Sequence, residues 1–299
     1  IREEKTKKLT PKLSTIKNLE LVRKAAEDIF GRYVSDANIW RAVHAKDILP
    51  RTAQFLWKGL HNAHRIGKYW VHIPECEDRA ICKECNVTED LAHILVGCRS
   101  PGQEIIWEAA RSLWLEKETQ WPAVSLGTIL GLSVVGQGIT RSRTGYSQKG
   151  MWVIHDILMS KSAYLIWKIR NDRVISRDRE PATEDEIKNR WKYAINLQLQ
   201  VDKTLANRPT KGKQPTLAPQ LVLATWSNTL DDKQSLPADW LQEPRVLVGS
   251  RAFPKTPTRR HNSHSIGERR SPTLPLGVHN ASLWVVEATP SETEISNLY

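Results

Sequence analysis

The spacing of three cysteines and one histidine constrains this chain more than any other feature of its sequence. The pattern is C-x2-C-x7-H-x4-C, formed by Cys82, Cys85, His93 and Cys98. Two cysteines three residues apart can close a tight turn with both thiolates toward one ion, and the histidine and last cysteine return to complete a tetrahedron. Four sulfur and nitrogen ligands with no open position predict a structural Zn²⁺ site, whose metal contributes directly to folding.

Other uses of these thiols compete with zinc. Cys76 lies shortly before the motif and is either an alternate ligand or a free thiol. A redox CxxC pair would need a thioredoxin-like βαβ context, which the surrounding pattern lacks. Unligated thiols in a reduced cytosolic core are a second alternative, and extracellular disulfides are disfavoured because no leader is visible. Zinc is the interpretation that the spacing favours.

The stretch that carries the motif, residues 74–98, is acidic, and we call it the metal loop. It holds six Asp and Glu residues against Arg79 and Lys83. Three thiolates and one Zn²⁺ add further negative charge, so an anionic strand would be repelled from it. We therefore interpret the metal as a clip that sets the angle between neighbouring helices, not as a phosphate contact.

A basic surface is predicted just before the metal loop. The chain has 44 Lys and Arg against 33 Asp and Glu, and its net charge of +11 favours an acidic partner such as nucleic acid. On a helix that begins near residue 50, basic residues recur every seven positions opposite an apolar stripe, which predicts a ridge that contacts phosphates. Its members are Arg51, Lys58, His61, Arg65 and Lys68. The alternative is a solvated face of an amphipathic helix.

A second basic cluster lies near the end of a long helix. It consists of Lys168, Arg170 and Arg173, with Arg177 and Arg179 following. These residues are candidate nucleic-acid contacts, and local ion pairing with Asp172 and Asp178 is the alternative.

The 12 tryptophans are mostly predicted to lie in the core. Trp57, Trp107, Trp167 and Trp191 fall at inward helical positions, which favours packing over base stacking. Trp40 and Trp70 flank the basic helix, and their role stays open between packing and stacking.

The sequence predicts a mainly α fold, in which a helical domain carries a small CCHC zinc-binding insert between disordered basic termini. The predicted regions are 1–35, a basic linker and leading helix; 36–120, the zinc-binding domain; 121–206, a helical extension; 207–249, a linker and docked segment; and 250–299, a tail rich in Ser, Thr, Pro and Arg. Residues 131–150 contain five glycines and little periodicity, so a loop is predicted there. Thr183 is expected to cap a helix that ends near Leu205.

No catalytic signature is found. GxSxG and Walker motifs are lacking, and Asp231-Asp232 lacks the flanks of a polymerase metal motif. His155 and Asp156 are adjacent in a helix, where their side chains should diverge by about 100°, so no dyad is expected. We predict a binding module with no small-molecule substrate and no enzymatic activity of its own.

Three stretches together resemble a known family. Phe55–Lys58, the Cys/His motif and Ile166–Asn171 are similar to the zinc-binding domain that follows reverse transcriptase in non-LTR retrotransposons. These residues are most similar to fungal elements, in which this domain follows a ribonuclease H domain. The resemblance covers roughly residues 36–249. In that family the four residues of the motif match the metal-ligand pattern, whereas Cys76 is an extra.

The resemblance implies a role in target-primed reverse transcription, the copying of element RNA into genomic DNA. Its implied partners are RNA or DNA and upstream reverse transcriptase and ribonuclease H domains, whose catalytic motifs would precede Ile1. The rival expectation is a structural or protein-interaction domain that supports these enzymes without touching nucleic acid.

An intracellular and nuclear location is expected. Arg259-Arg260 and Arg269-Arg270 could serve nuclear import. No apolar run approaches the roughly 18 residues of a membrane span. The absence of an initiator Met and of a leader favours a fragment or processed chain.

Overall fold

The computed structural model describes residues 12–45, 48–139, 145–176, 180–207 and 216–249. Its helices are α1 (Leu13–Phe30), α2 (Asp36–Val43), α3 (Pro50–Leu60), α4 (Gln103–Trp114), α5 (Leu126–Leu130), α6 (Leu132–Ile139), α7 (Gly145–Asn171), α8 (Glu184–Asn207) and α9 (Pro219–Trp226). Strands β1 (Ile81–Cys82) and β2 (Val87–Thr88) form one small hairpin. The predicted mainly α fold with a small Cys/His insert is confirmed. The predicted disordered tail, 250–299, and the first 11 residues lie outside the described ranges.

Several helix starts follow the signals in the sequence. Pro50 occupies the first turn of α3, where its missing N–H costs no hydrogen bond. Thr183 caps α8, because its hydroxyl oxygen accepts a hydrogen bond from the backbone N–H of Glu186 at 3.2 Å. The leading helix α1 begins at Leu13, so part of the stretch predicted as a linker is helical.

The helix α3 is shorter than the basic ridge requires. It ends at Leu60, and Asn62 then takes the left-handed conformation with φ of 49°. The N–H of Ala63 donates to the Lys58 carbonyl at 2.8 Å, which turns the chain away from the helix axis. Arg65 and Lys68 therefore lie beyond the helix, and the prediction of a continuous helical ridge is wrong.

The core forms around α7, which packs against α3, α4, α6, α8 and α9. Trp114, Trp191 and Trp226 are fully buried, and each side chain of this size stabilises the fold by a few kcal/mol, of order 2–3. Residues from the predicted regions 36–120, 121–206 and 207–249 all belong to one apolar cluster. Among the described residues, no helix has both the length and the apolar character needed to cross a bilayer.

The glycine-rich stretch predicted as a loop is largely helical, since it contains α6 and the start of α7. Two of its glycines, Gly136 and Gly150, are sites of close packing. A Cβ on Gly136 would lie 2.6 Å from Asp156 Oδ1, and one on Gly150 would lie 2.6 Å from the carbonyl carbon of Ala224. Glycine is required at these positions because neighbouring helices approach too closely for any side chain.

His155 and Asp156 interact, contrary to the sequence-based expectation. His155 Nδ1 lies 3.0 Å from Asp156 Oδ1, and Trp152 Nε1 donates to Asp156 Oδ2 at 2.9 Å. The two side chains converge because the missing side chain of Gly136 leaves room for both. Since His155 is 0% exposed, the pair is a hydrogen bond within the core, out of reach of a solvent-borne substrate.

Candidate metal centre and its surroundings

The hairpin formed by β1 and β2 presents the first two cysteines. Ile81 pairs with Thr88 and Cys82 pairs with Val87. In the turn, Asn86 has φ of 53°, and its N–H donates to the Cys82 carbonyl at 2.7 Å. Asparagine tolerates this left-handed conformation better than most residues. The tight turn brings Cys82 and Cys85 to the same site.

A π-helical turn, His93–Gly97, carries the third candidate ligand at its start, and the fourth, Cys98, directly follows its end. The Asp90 carboxylate accepts a hydrogen bond from the His93 N–H at 2.7 Å and so starts the turn. Trp107 of α4 donates its indole N–H to the Leu95 carbonyl at 2.7 Å. Cys98 follows in extended conformation. The wide turn, fixed by α4, places His93 and Cys98 against the hairpin.

The four predicted ligands come together. The ligand atoms of Cys82, Cys85, His93 and Cys98 all lie within 4.8 Å of one another. Cys82 Sγ and Cys98 Sγ are 3.7 Å apart, and a tetrahedron with Zn–S bonds of about 2.3 Å has an edge of about 3.8 Å. Cys76 is half-buried and is not part of this group. The residues can hold a metal ion, with Cys76 outside the ligand set.

The surroundings of Cys85 and Cys98 shift the pKa values of the two thiols in opposite directions. The Arg99 N–H donates to Cys85 Sγ at 3.3 Å, and this hydrogen bond lowers the pKa of Cys85. Burial raises the pKa of Cys98 to about 12, and the neighbouring Cys82 sulfur acts in the same direction. Several thiolates cannot share a buried site unless a cation compensates their charge, so the donor set fits a divalent metal.

The histidine points to the same conclusion. Within the described part of the chain, the buried Nε2 atom of His93 has no hydrogen-bond partner. Buried polar atoms nearly always have a partner, and one left without any costs free energy. A metal ion bound in the cluster would give this nitrogen its partner.

A buried ion pair connects the metal loop to α7. Glu89, 3% exposed, directly follows β2. Arg170 Nε donates to Glu89 Oε2 at 2.9 Å, and Arg173 lies 3.8 Å from Glu89 Oε1. Arg173 also donates to the hydroxyl of Ser100. The two arginines therefore hold the chain at Glu89, within the metal loop, and at Ser100, two residues after Cys98.

This pairing corrects part of the predicted nucleic-acid surface. Arg170 and Arg173 are 6% and 8% exposed and neutralise a buried carboxylate, so they are not part of an exposed surface for phosphates. Their partner is the distant Glu89, whereas Asp172 pairs with Arg190 at 2.6 Å. Lys168 is exposed and stays a candidate contact.

The remaining predicted contacts belong to one segment, residues 48–73, which we call the cationic segment. It contains four Lys and Arg residues and no Asp or Glu. Arg51, Arg65 and Lys68 are exposed, and Lys58 is half-buried. His61 is packed between Trp40 and Trp57, with ring centroids 4.9 Å and 4.3 Å away, so its ring serves packing more than phosphate contact.

The prediction for the tryptophans holds in part. Trp107 and Trp191 are buried as predicted, whereas Trp57 is 40% exposed. Trp70 is half-buried and anchored, since its indole N–H donates to the Arg65 carbonyl at 2.8 Å. Tyr69, which the sequence reasoning missed, is 44% exposed. Its position directly after Lys68 was the available signal.

Cations lie beside the rings of both Tyr69 and Trp70. The Arg65 guanidinium is 5.6 Å from the centroid of the Tyr69 ring, and the Arg79 guanidinium is 5.2 Å from that of Trp70. Arg79 was not predicted as a contact because it lies in the acidic metal loop. Cation–π attraction holds such pairs together on the surface.

Gly67 joins the cationic segment to the metal loop. Its φ is 49°, and a Cβ there would lie 1.9 Å from the Glu89 carbonyl oxygen. A side chain at this position would have to displace the backbone at Glu89. The cationic segment and the metal loop are therefore in direct main-chain contact at Gly67.

Comparisons of the chain with models of protein families, with curated proteins and with solved structures give no match. The likeness to retrotransposon zinc-binding domains therefore rests on the quoted residues alone. The metal cluster and the charge distribution carry the functional argument that follows.

Proposed function

We propose that this chain is an accessory nucleic-acid-binding module stabilised by zinc. The observation that carries the proposal is the cationic segment, which lacks acidic residues and is in main-chain contact with the metal loop that contains the Cys/His cluster. Lys and Arg side chains that neutralise phosphates release counterions, and this release supplies most of the affinity in non-specific binding.

Zinc has a structural role in this proposal. Cys82, Cys85, His93 and Cys98 would hold it with no position left for a substrate, which is typical of closed sites. When bound, the ion would offset part of the thiolate charge and fix the hairpin against the π-helical turn. The chain's own residues then present the cationic segment to the ligand.

The resemblance to the zinc-binding domains of non-LTR retrotransposons supports a specific setting. We place the module after reverse transcriptase and ribonuclease H, in the nucleus, where it positions template RNA or target DNA for target-primed reverse transcription. Catalysis in this proposal belongs to those upstream domains.

A second candidate is a structural or protein-interaction domain that supports the upstream enzymes. The observation in its favour is on α1, where Leu13, Ile16 and Leu21 are 67%, 46% and 43% exposed. Exposed apolar side chains grouped on one element are common at protein interfaces.

Fluorescence anisotropy with labelled RNA and DNA over a salt series separates the two candidates. The zinc-loaded chain should lose affinity steeply between about 50 and 200 mM salt, because each phosphate contact contributes about 0.9 to the logarithmic slope. The triple variant Arg51→Glu, Lys58→Glu, Arg65→Glu should lose binding and keep its zinc. Affinity that is flat with salt, or unchanged in the triple variant, would favour the second candidate.

A further inference from the structure

We propose that the cationic segment recognises single-stranded nucleic acid, with an unpaired base stacking on the ring of Tyr69 while the neighbouring Lys and Arg contact the backbone phosphates. This inference rests on the proposed function and names its ligand. It concerns an aromatic surface that is distinct from the metal centre.

The Tyr69 ring is both accessible and supported. It is 44% exposed and meets the Trp70 ring edge-to-face, with centroids 5.1 Å apart and planes at 90°. Trp70 is held by its hydrogen bond to the Arg65 carbonyl and by the Arg79 guanidinium. A ring fixed in this way loses little conformational entropy when a base stacks on it.

The backbone beneath the ring is fixed as well. Ile66 and Gly67 are buried, and Gly67 abuts the Glu89 carbonyl of the metal loop. Glu89 is in turn paired with Arg170 of α7. Tyr69 is therefore presented from a rigid base, two residues beyond this contact.

The charges select a nucleic acid as the occupant. Arg65 and Lys68 are exposed within four positions of Tyr69 along the chain, and the Arg65 guanidinium approaches the ring itself. A planar guanidinium beside an aromatic ring can stack and also bind a phosphate. An exposed ring among cations, in a segment without acidic residues, combines the two elements of a single-strand binding surface.

Stacking selects unpaired over paired bases. In a duplex the faces of the bases are occupied by their neighbours, so a protein ring can stack only on a base that is unpaired or at an end. The phosphates of both forms are available to the cations. The ring should therefore contribute to the binding of single strands and hardly to that of duplexes.

The test measures binding of the zinc-loaded full chain to labelled oligothymidine DNA, oligouridine RNA and a DNA duplex, each of about 20 nucleotides or base pairs. Tyr69→Ala should weaken binding to the single strands by about 5- to 150-fold, the range expected for loss of one stacked base. Duplex binding should change less than about 2-fold, and the salt slope on single strands should stay the same.

Three further variants make the result specific. Tyr69→Phe keeps the ring and should retain wild-type affinity. Tyr69→Leu keeps an apolar side chain without a ring and should weaken single-strand binding as Tyr69→Ala does. It decides the test if Tyr69→Ala loses zinc. Tyr193→Ala is the matched control, because Tyr193 is a 68% exposed tyrosine on α8 and should not affect binding.

The outcomes distinguish this inference from the proposed function. If wild type binds nucleic acid with the expected salt dependence and Tyr69→Leu binds single strands equally well, base stacking is refuted and the function stands. Equal losses on duplex and single strand, or displacement of the single strand by polyglutamate at equal charge concentration, would also refute stacking. If wild type binds none of the probes at micromolar concentration, both proposals fail.

Discussion

The cationic segment and the metal loop are consecutive in the chain and opposite in charge. Residues 48–73 carry four Lys and Arg residues without an acid, whereas residues 74–98 carry six acids and two bases. With a divalent metal bound, three thiolates would add further negative charge to the second segment and make it a poor surface for phosphates. Under the proposed function the two segments have different roles, in which the metal loop would hold the metal and the cationic segment would contact the nucleic acid.

Loss of a metal ligand should have the largest effect on this arrangement. Cys82→Ser is expected to abolish zinc binding and to destabilise the metal loop by on the order of 5 kcal/mol or more, since zinc binding by small structural sites contributes about 10–16 kcal/mol. Zinc content per chain and hydrogen exchange of residues 81–98 measure the effect.

Cys76→Ser is the matched control, because Cys76 lies outside the cluster. It should retain full zinc content and unchanged exchange. Zinc loss in this variant, or an unchanged exchange pattern in Cys82→Ser, would contradict the assigned ligand set.

Breaking the buried ion pair should have the next largest effect. Glu89→Gln removes the carboxylate that pairs with Arg170 and Arg173, and leaving buried charges without a partner costs about 3–5 kcal/mol. Urea denaturation of the zinc-loaded protein measures the loss in the free energy of unfolding.

Glu84→Gln serves as control for this variant, since Glu84 is an exposed acid of the same loop. Its effect should stay within about 0.5 kcal/mol. Similar stabilities for the two variants would show that Glu89 does not connect the metal loop to α7.

Neutralising the exposed cations should change binding and leave stability unaltered. The double variant Arg65→Gln, Lys68→Gln is expected to lower the slope of log affinity against log salt by about 2, one for each phosphate contact. Lys149→Gln, an exposed lysine near the start of α7, should leave the slope unchanged. A salt slope in the double variant equal to that of wild type would mean that Arg65 and Lys68 do not contact phosphates.

The smallest expected effect concerns one histidine of the cationic segment. His64 packs against Trp167 with centroids 4.5 Å apart, and burial lowers its pKa, as does the nearby Lys58. The unfolded chain, with a histidine pKa near 6.5, then binds more protons than the folded chain below that pH. The stability due to neutral His64 is thus present above about pH 6.5 and decreases as pH falls, by at most about 1.4 kcal/mol per pH unit.

His64→Phe should remove this part of the pH dependence. Urea denaturation at pH 7.5 and 5.5 compares the variant with wild type, so that metal release at low pH, common to both, cancels. An equal pH dependence in the two proteins would mean that folding does not lower the pKa of His64.

Local patterns predicted much of this fold and of its candidate metal centre. The spacing of Cys82, Cys85, His93 and Cys98 was sufficient to predict the ligand cluster, because a tetrahedral site is formed by short segments of chain. The helix starts at Pro50 and Thr183 could also be predicted from the sequence, since helix caps depend on neighbouring residues.

Features that depend on tertiary contacts were not predictable in the same way. Glu89 and Arg170 are 81 positions apart, and the nearby Asp172 offered a local partner that the fold does not use. The glycines of 131–150 indicated a loop, yet Gly136 and Gly150 allow helices to approach. The seven-residue repeat of the basic ridge continued past Leu60, where the left-handed Asn62 ends the helix.

Gly67 determines how the surface responds to its surroundings. The contact between this residue and the Glu89 carbonyl is steric and involves main chain only, so neither ionic strength nor mild acid weakens it directly. Concentrated salt that strips a bound strand from the protein should therefore leave Tyr69 in its place. Under the proposed function, a strand could then bind again without the surface having to refold.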